Sequence, residues 1–457
     1  MAENKLGKAY DFKGKKALVM GLGLHGGGVG TVKFLARKKA LITVTDLRGK
    51  KDLLPSLRLL KGIKSIRYVL GQHREKDFLS VDLIIKNPGI RLDNPYLQKA
   101  KSAGVPITTD VEIFFNQCPA PIIGITGTRG KSTTSALVAT FLEHKFPHVY
   151  LGGNIRRSVL DFLGRIKSGD AVVLELSSFQ LADLARELIS PHIAVVTNIM
   201  RDHLNWHRTM DEYINAKSAI SRFQKKEDYL FLNPDDPILR KIGQKSPGKV
   251  IFPKIPKKFQ EIVDKKFGAH FRSSIGLAIA IAKHYDVSDS AIKKELEIFK
   301  SLEGRQEIVA KIKGVTFIND TTATIPDAAI AALKRFSYQI RKGGKIILIA
   351  GGSDKKLEFE EFVHAVNMHA GMVILLPGTA TSRIRNQESG IKRKTPEAQS
   401  MKEAVTLAWK SASPGDIILL SPGAASFGLF LNEFDRGKQF VREVRNIRDV
   451  TGRNYEK

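Results

Sequence analysis

The sequence predicts an α/β protein of three domains, each a parallel sheet covered by helices. Three observations carry that expectation. Short apolar runs alternate with helix-length stretches along most of the chain, as in strand–helix–strand units. Two of those runs end in glycine-rich turns that open a helix. The chain has 457 residues, and chains beyond about 250–300 residues divide into domains.

The first domain, residues 1–120, opens on strand Ala17–Met20, passes a glycine turn and a helix ending at Lys38 and Lys39, and returns in strand Leu41–Thr45. Gly21, Gly23 and Gly26 follow the first strand directly, and Asp46 ends the next strand twenty residues beyond Gly26. Glycines there permit a tight turn and close approach of a diphosphate to a helix start, and the acid suits a ribose hydroxyl. A Rossmann-like domain is expected. Taken alone, this fingerprint fits an NAD-dependent oxidoreductase. The stretch from Cys118 to Pro121 reads as a linker.

The central domain, residues 121–300, starts with strand Ile122–Thr126 and carries two more buried strands, Ala171–Glu175 and Ile193–Thr197. The third, residues 301–457, carries strands Lys345–Ala350, Val373–Leu376 and Ile417–Leu420, and ends in a charged helical tail. It too is expected to be Rossmann-like.

Composition narrows the class. Apolar residues make up 42% and charged residues 26%, with no apolar run of the eighteen or so residues a membrane span needs and no start resembling a signal peptide. A cytoplasmic enzyme without membrane insertion is expected. The lone Cys118 builds no disulfide framework. A surplus of 74 Lys and Arg over 46 Asp and Glu gives +28, which favours acidic partners. The basic residues are scattered without an aromatic-interleaved stripe, so no obligate nucleic-acid partner is expected, although a nucleotide-dependent RNA-binding protein is a competing class.

The chemistry starts at Gly124 to Ser132. Gly124, Gly127 and Gly130, then Lys131 and Ser132, lie between a buried strand and a helix read as Thr133–Glu143, which is the setting of a phosphate loop. The backbone of Gly127, Thr128, Arg129 and Gly130 can cradle ATP phosphates. Lys131 can meet the terminal phosphates, and Ser132 or Thr133 can hold Mg2+. The spacing is uncommon: the earlier glycine of the usual pattern falls at Ile125. Glu175 directly follows Val-Val-Leu, where a carboxylate is costly to bury unless it meets a cation, so Mg2+ is favoured over an internal ion pair. His203, after the strand ending at Thr197, can reach a metal or an acyl phosphate, or be a hydrogen-bonded structural residue. A hydride-transfer enzyme has no use for this second loop. A ligase with a nucleotide-linked substrate needs both, with Gly23, Leu24 and His25 at the diphosphate and Asp46 and Arg48 near its base or phosphates.

With both loops in place, the order of the remaining motifs resembles the Mur ligases of peptidoglycan precursor synthesis, and within them the glutamate-adding branch. The stretches that carry it are Glu175 to Leu181, Thr197 to Leu204, Tyr213 to Lys217, Asn233 to Asp236, Gly351 to Lys355 and Ser421 to Phe427. The resemblance implies that ATP phosphorylates the carboxylate of UDP-N-acetylmuramoyl-L-alanine and that the amine of glutamate then attacks the acyl phosphate. It implies two Mg2+ ions, held by Ser132, Glu175, His203 and a carbamoylated Lys217, with Lys131 beside them as the fourth catalytic group. It places Asn154, Ser177 and Gln180 around the muramoyl substrate, and Arg305 and Asp320 at the nucleotide. Thr324, Lys355, Ser426 and Phe427 would meet glutamate. A monomer is expected.

Several positions depart from the family pattern. Arg129 replaces an Asn, and the adenine-side motif reads His270 to Ser274 without its two amides. Thr322 stands in place of a lysine, and Glu433 in place of an aromatic. The last two fall where glutamate should bind. D-glutamate stands ahead of L-glutamate as the expected substrate, with an L-adding variant as the alternative.

Overall fold

A computed structural model describes residues 10–453, apart from 65, 156–157, 269–270, 341–342, 356, 388–389, 392–394 and 427; residues 205 and 450–453 are described by their main chain alone. The chain forms two compact units, Met1–Ile298 and Phe299–Lys457.

The first unit holds two parallel sheets. In the first, β1 (Lys16–Met20), β2 (Leu41–Asp46), β3 (Ile66–Leu70), β4 (Leu83–Lys86) and β5 (Ile107–Thr108) lie in the order β3-β2-β1-β4-β5. The chain order reverses between β1 and β4, which leaves a crevice at their carboxyl ends. There the Gly21 to Gly26 turn opens the helix Gly27–Arg37. A side chain at Gly28 would put its Cβ 2.4 Å from the Leu22 carbonyl oxygen, so only glycine lets the helix start against the turn.

The second sheet contains β6 (Ile122–Thr126), β7 (Val149–Gly153), β8 (Ala171–Glu175), β9 (Ile193–Val196), β10 (Tyr229–Leu232) and β11 (Lys249–Ile251), ordered β11-β10-β9-β6-β8-β7. Its reversal flanks β6, so the ends of β8 and β9 lie on either side of the loop that follows β6. The helix after that loop begins at Lys131, one turn-half earlier than the sequence suggests, and runs to Leu142.

One apolar core runs through both sheets, from Phe12 and Val19 to Val172 and Val196. Charge also crosses the seam. Lys86, the last residue of β4, pairs with Asp183 at 2.7 Å, both nearly inaccessible, and Arg186 meets Glu112 at 2.8 Å. Breaking such a buried pair by removing one partner costs about 3–5 kcal/mol. Beside them Asp110 is buried, and that burial pushes its carboxyl up to about 6 despite a hydrogen bond from the Val111 N–H and the pull of Lys86.

A raised carboxyl pKa gives a definite sign. Between about pH 4 and about pH 6 the unfolded chain releases this proton before the folded one, so stability falls by about 3 kcal/mol as pH rises, then levels. Asp110→Asn has no such proton. Its urea midpoint is expected to draw ahead of wild type from pH 4 to pH 6 and to hold a constant lead above. A lead independent of pH would refute the assignment.

The second unit has β12 (Glu307–Ile312), β13 (Val315–Asn319), β14 (Ile346–Gly351), β15 (Ala370–Leu376) and β16 (Ile417–Leu420), in the order β12-β13-β16-β14-β15. Four strands are parallel; β12 runs antiparallel to β13. This hairpin departs from an all-parallel expectation. Its cause is the turn at Lys313 and Gly314, both at positive φ, which folds the chain straight back. The charged tail is the helix Glu433–Arg453, whose Phe440 and Val444 are buried against the sheet.

Candidate active site

The loop between β6 and its helix is shaped by two left-handed glycines and anchored to the end of β9. Gly127 has φ 144° and Gly130 has φ 79°, the latter capping the helix. A Cβ at Gly130 would meet Ser274 Oγ at 2.4 Å, so Ser274, the last residue of the altered adenine-side motif, packs directly on the loop. Its neighbour His270 lies outside the described residues. The Thr128 N–H donates to the Asn198 carbonyl at 2.9 Å, and the Arg129 N–H to Asn198 Oδ1 at 2.8 Å. Thr128 Oγ1 accepts from the Met200 N–H and lies 3.1 Å from the Tyr213 hydroxyl. Lys131 Nζ donates to the carbonyls of Gly127 and Thr128, at 2.9 and 3.1 Å, so its charge lies over the loop. Thr133 is buried in the first helical turn.

Next to this loop Glu175 ends β8, 1% exposed. Ser132 Oγ donates to its Oε2, and Asn154 Nδ2 donates to its Oε1 at 3.1 Å. The structure thus brings together three residues the sequence scatters over forty positions. One carboxylate and one hydroxyl at a helix start form the donor set that Mg2+ takes when phosphates supply other ligands. Among the described residues no group of three or more His, Cys, Asp or Glu could hold a metal by itself.

Lys217 comes from the helix Met210–Arg222, whose Tyr213, Ala216 and Lys217 face inward. Its Nζ donates to the Gly127 carbonyl at 2.9 Å, lies 3.4 Å from Thr126 Oγ1, and sits over the Tyr213 ring at 4.7 Å. Burial, and then the charge of Lys131, push its pKa well below the usual lysine value, against the pull of Asp202 and Glu175. Burial thus disfavours the charged form of this amine. On the other side of Tyr213, 6.3 Å between ring centres, is His203. Its backbone is left-handed, with φ 56°, and its main-chain N–H donates to Asp202 Oδ1.

Three predicted substrate residues have local duties. Ser177 caps the helix Ser178–Arg186, and the Gln180 side chain accepts from the Ser177 N–H, a reciprocal capping box. In the first sheet Asp46 accepts from the Gly23 N–H at 3.1 Å and from the Arg48 N–H at 2.9 Å. Asp46 therefore shapes the turn, while the Arg48 side chain and His25 are exposed and Leu24 is half-buried.

In the second unit Asp320 is buried, accepting from the Gln306 N–H and from Ser421 Oγ, and burial raises its pKa to about 7. Arg305, next in chain to Gln306, is half-buried and lowers that pKa in part. Thr324 and Lys355 meet, with Nζ 3.3 Å from Oγ1. Ser426 is buried nearby in sequence to the Ser353–Ala425 bridge. Thr322 turns its hydroxyl to the Gly304 carbonyl, and Glu433 opens the last helix. Phe427 lies outside the described residues.

Residues 125–308 match the family model of the Mur ligase middle domain, residues 15–109 that of the MurD-like N-terminal domain, and residues 304–423 that of the Mur ligase glutamate ligase domain. The UDP-N-acetylmuramoylalanine--D-glutamate ligase of Roseiflexus sp. (strain RS-1) is 40% identical over 471 residues, covering 95% of this chain and 99% of the relative. The chain belongs to the Mur ligase family. In fold, this Mur ligase is similar to UDP-N-acetylmuramate-alanine ligase of Thermotoga maritima, with a TM-score of 0.64 at 20% identity, covering 94% of this chain and 99% of that one. It is also similar to MurF ligase of Thermotoga maritima in complex with ADP, with a TM-score of 0.57 at 15% identity and 97% of each chain covered.

Sequence reasoning passed over two buried polar residues, one in each unit, that lie beside predicted site residues. Arg436 is fully buried and donates to the carbonyls of Thr321 and Ala424, at 2.8 and 3.2 Å, with Nε 3.2 Å from Thr321 Oγ1. Burial lowers its pKa to about 10. His207 is buried, with Nε2 2.8 Å from Ser178 Oγ. Burial, aided by His203 and Lys217, brings its pKa down to about 4, so the ring is neutral. No local pattern marks either one: each is a polar residue on a helix whose inward face only the fold reveals.

Proposed function

We infer that this Mur ligase joins D-glutamate to UDP-N-acetylmuramoyl-L-alanine at the expense of ATP, by way of an acyl phosphate, in the synthesis of peptidoglycan precursors. The observation that carries the reading is Glu175 held between Ser132 and Asn154 at the mouth of the phosphate loop. Full-length identity to D-glutamate ligases supports the substrate pair and ranks D-glutamate above L-glutamate. Neither an NAD-dependent oxidoreductase nor a nucleotide-dependent RNA-binding protein accounts for these features. Because ATP is consumed, we assign the reaction to the cytoplasm.

The residues divide the work. The N–H groups of the loop and the start of its helix receive the ATP phosphates, and Lys131 turns from its own loop carbonyls to the terminal ones. Ser132 and Glu175 would hold one Mg2+, and His203 with Lys217 a second. Bound there, the ions neutralise charge on the transferring phosphoryl group. Because burial disfavours its charged form, Lys217 in the neutral form can make a bond from Nζ to the carbon of carbon dioxide, releasing one proton to solvent and gaining the anionic oxygens a metal needs. Asn154, which follows β7 and donates to Glu175, would meet the muramoyl carboxylate, together with Ser177 and Gln180. Gly23, His25 and Arg48 take the uridine diphosphate. Arg305 and Asp320 serve the nucleotide, and Thr324, Lys355 and Ser426 provide donors for the glutamate carboxylates.

Phosphate release by purified protein, ATP and UDP-N-acetylmuramoyl-L-alanine tests this with each glutamate enantiomer. Release is expected with D-glutamate alone. Release with L-glutamate alone would move the chain to the L-adding alternative, and release with neither would sink the glutamate reading.

A further inference from the structure

His203 opens a four-residue helix, Leu204–His207, closed by Arg208. Both flanking residues are left-handed without being glycine, with φ 56° and 64°. Such positions are strained and persist only where the surroundings over-determine them. Here the determining contacts converge on Trp206.

The indole N–H of Trp206 donates to the Gly89 carbonyl at 2.9 Å. Arg91 Nη1 donates to the Trp206 carbonyl, and the Arg91 guanidinium lies over the indole at 4.9 Å. Asp93 receives Arg91 and Arg208 together, each at 3.0 Å. From behind, the Phe179 ring supports both Trp206 and His203, at 4.9 and 5.0 Å between centres. The main-chain N–H of Trp206 in turn donates to the His203 carbonyl at 3.0 Å.

Gly89, Arg91 and Asp93 belong to the segment that leaves β4, and its beginning touches the first glycine turn. The Asn87 N–H donates to the Met20 carbonyl at 2.8 Å. A Cβ at Gly21 would lie 3.0 Å from both Asn87 Cβ and Ile90 Cδ1. One short segment therefore has its start against the diphosphate turn and its end wrapped around Trp206.

We propose that Trp206 is a positioning residue that fixes His203 with reference to the substrate turn of the first sheet, with Arg91 as its clamp. The assignment rests on the ligase reading above. It makes His203 placement depend on the part of the protein that binds the uridine-linked substrate, though Trp206 itself touches no reacting atom. Coupling of this kind is demonstrated only by paired substitutions.

The test uses the full chain with ATP, UDP-N-acetylmuramoyl-L-alanine and D-glutamate, comparing Trp206→Ala, Trp206→Phe, Arg91→Ala and the Trp206→Ala/Arg91→Ala pair. Loss of a residue that orients a metal- or phosphate-binding group typically costs about 10–100-fold in activity. Trp206→Ala is expected to lose kcat in that range, while KM for ATP stays within about two-fold of wild type. Trp206→Phe, which keeps the ring contacts and lacks the N–H donor, should fall between. The pair should be no slower than its slower member. Arg91→Ala and Trp206→Phe carry the test if Trp206→Ala does not fold. Losses that multiply in the pair, kcat values near wild type, or a parallel rise in KM for ATP would each overturn the proposal. An inactive wild type would remove the ligase reading and this assignment with it, whereas an active wild type with indifferent variants would remove only this one.

Discussion

Lys217→Ala is expected to lose about 10²–10³-fold in the rate of phosphate release at saturating substrates, the cost typical of removing one group that stabilises transition-state charge. The amine is buried, with its charged form disfavoured, on the Gly127 carbonyl and beside Thr126 Oγ1. A surface lysine would be a charged ammonium that cannot take up carbon dioxide at neutral pH. Wild type should therefore slow in buffer stripped of carbon dioxide and recover with bicarbonate, and Lys217→Ala should respond to neither. Lys217→Arg supplies a permanent cation and cannot form the carbamate, so it should be as slow as the alanine variant. A fast arginine variant would show that positive charge, not the carbamate, is what the site requires.

Gly127→Ala should be nearly as severe, for a steric reason. The residue has φ 144°, and an added Cβ would fall 1.9 Å from Thr197 Oγ1 and 3.1 Å from the Asn198 nitrogen. Thr197 cannot simply turn aside, because its hydroxyl is bonded to the Arg129 carbonyl within the same loop. The loop must shift by roughly the overlap, and a misplacement near 1 Å can cost about 100-fold in catalysis. Initial rates at varied ATP should show kcat/KM down by that order. Gly164→Ala is the control, since a Cβ there meets nothing within 4 Å. If Gly127→Ala matched Gly164→Ala, the loop would not be the nucleotide cradle.

The sequence was most legible where burial is continuous. Ile122–Thr126, Ala171–Glu175 and Ile417–Leu420 are strands with those very limits, because each is an apolar run covered on both faces and cut off by a polar or glycine residue. Strands such as Ile66–Leu70 and Glu307–Ile312 lie at sheet edges and are partly wet, with Tyr68 39% and Ile308 65% exposed, so no continuous apolar run announces them. The site divides in the same way. Gly127 to Ser132 is contiguous, and its spacing declares a phosphate loop. Lys217, on a helix of mixed polarity, gains meaning only when that helix turns it toward β6, and family resemblance was its sole advance notice. The contact of Glu175 with Asn154, and the clamp of Arg91 on Trp206, join residues far apart in the chain, where no local pattern reaches.

Arg436 bears on how such an enzyme can change its preferences over evolutionary time. Its guanidinium grips carbonyls and the hydroxyl of Thr321, and a Cβ at Gly352 would come within 3.6 Å of its Nη1. Two loops are thus tethered to one cation, largely through main-chain atoms that every amino acid possesses. The neighbouring Thr322 and Glu433, where the family pattern has other residues, can then be rewritten without the architecture being renegotiated. On the proposed reading, in which Thr322 and Glu433 border the glutamate site, selectivity and scaffold become separately mutable, so a lineage can drift toward a new amino acid while the frame stays put.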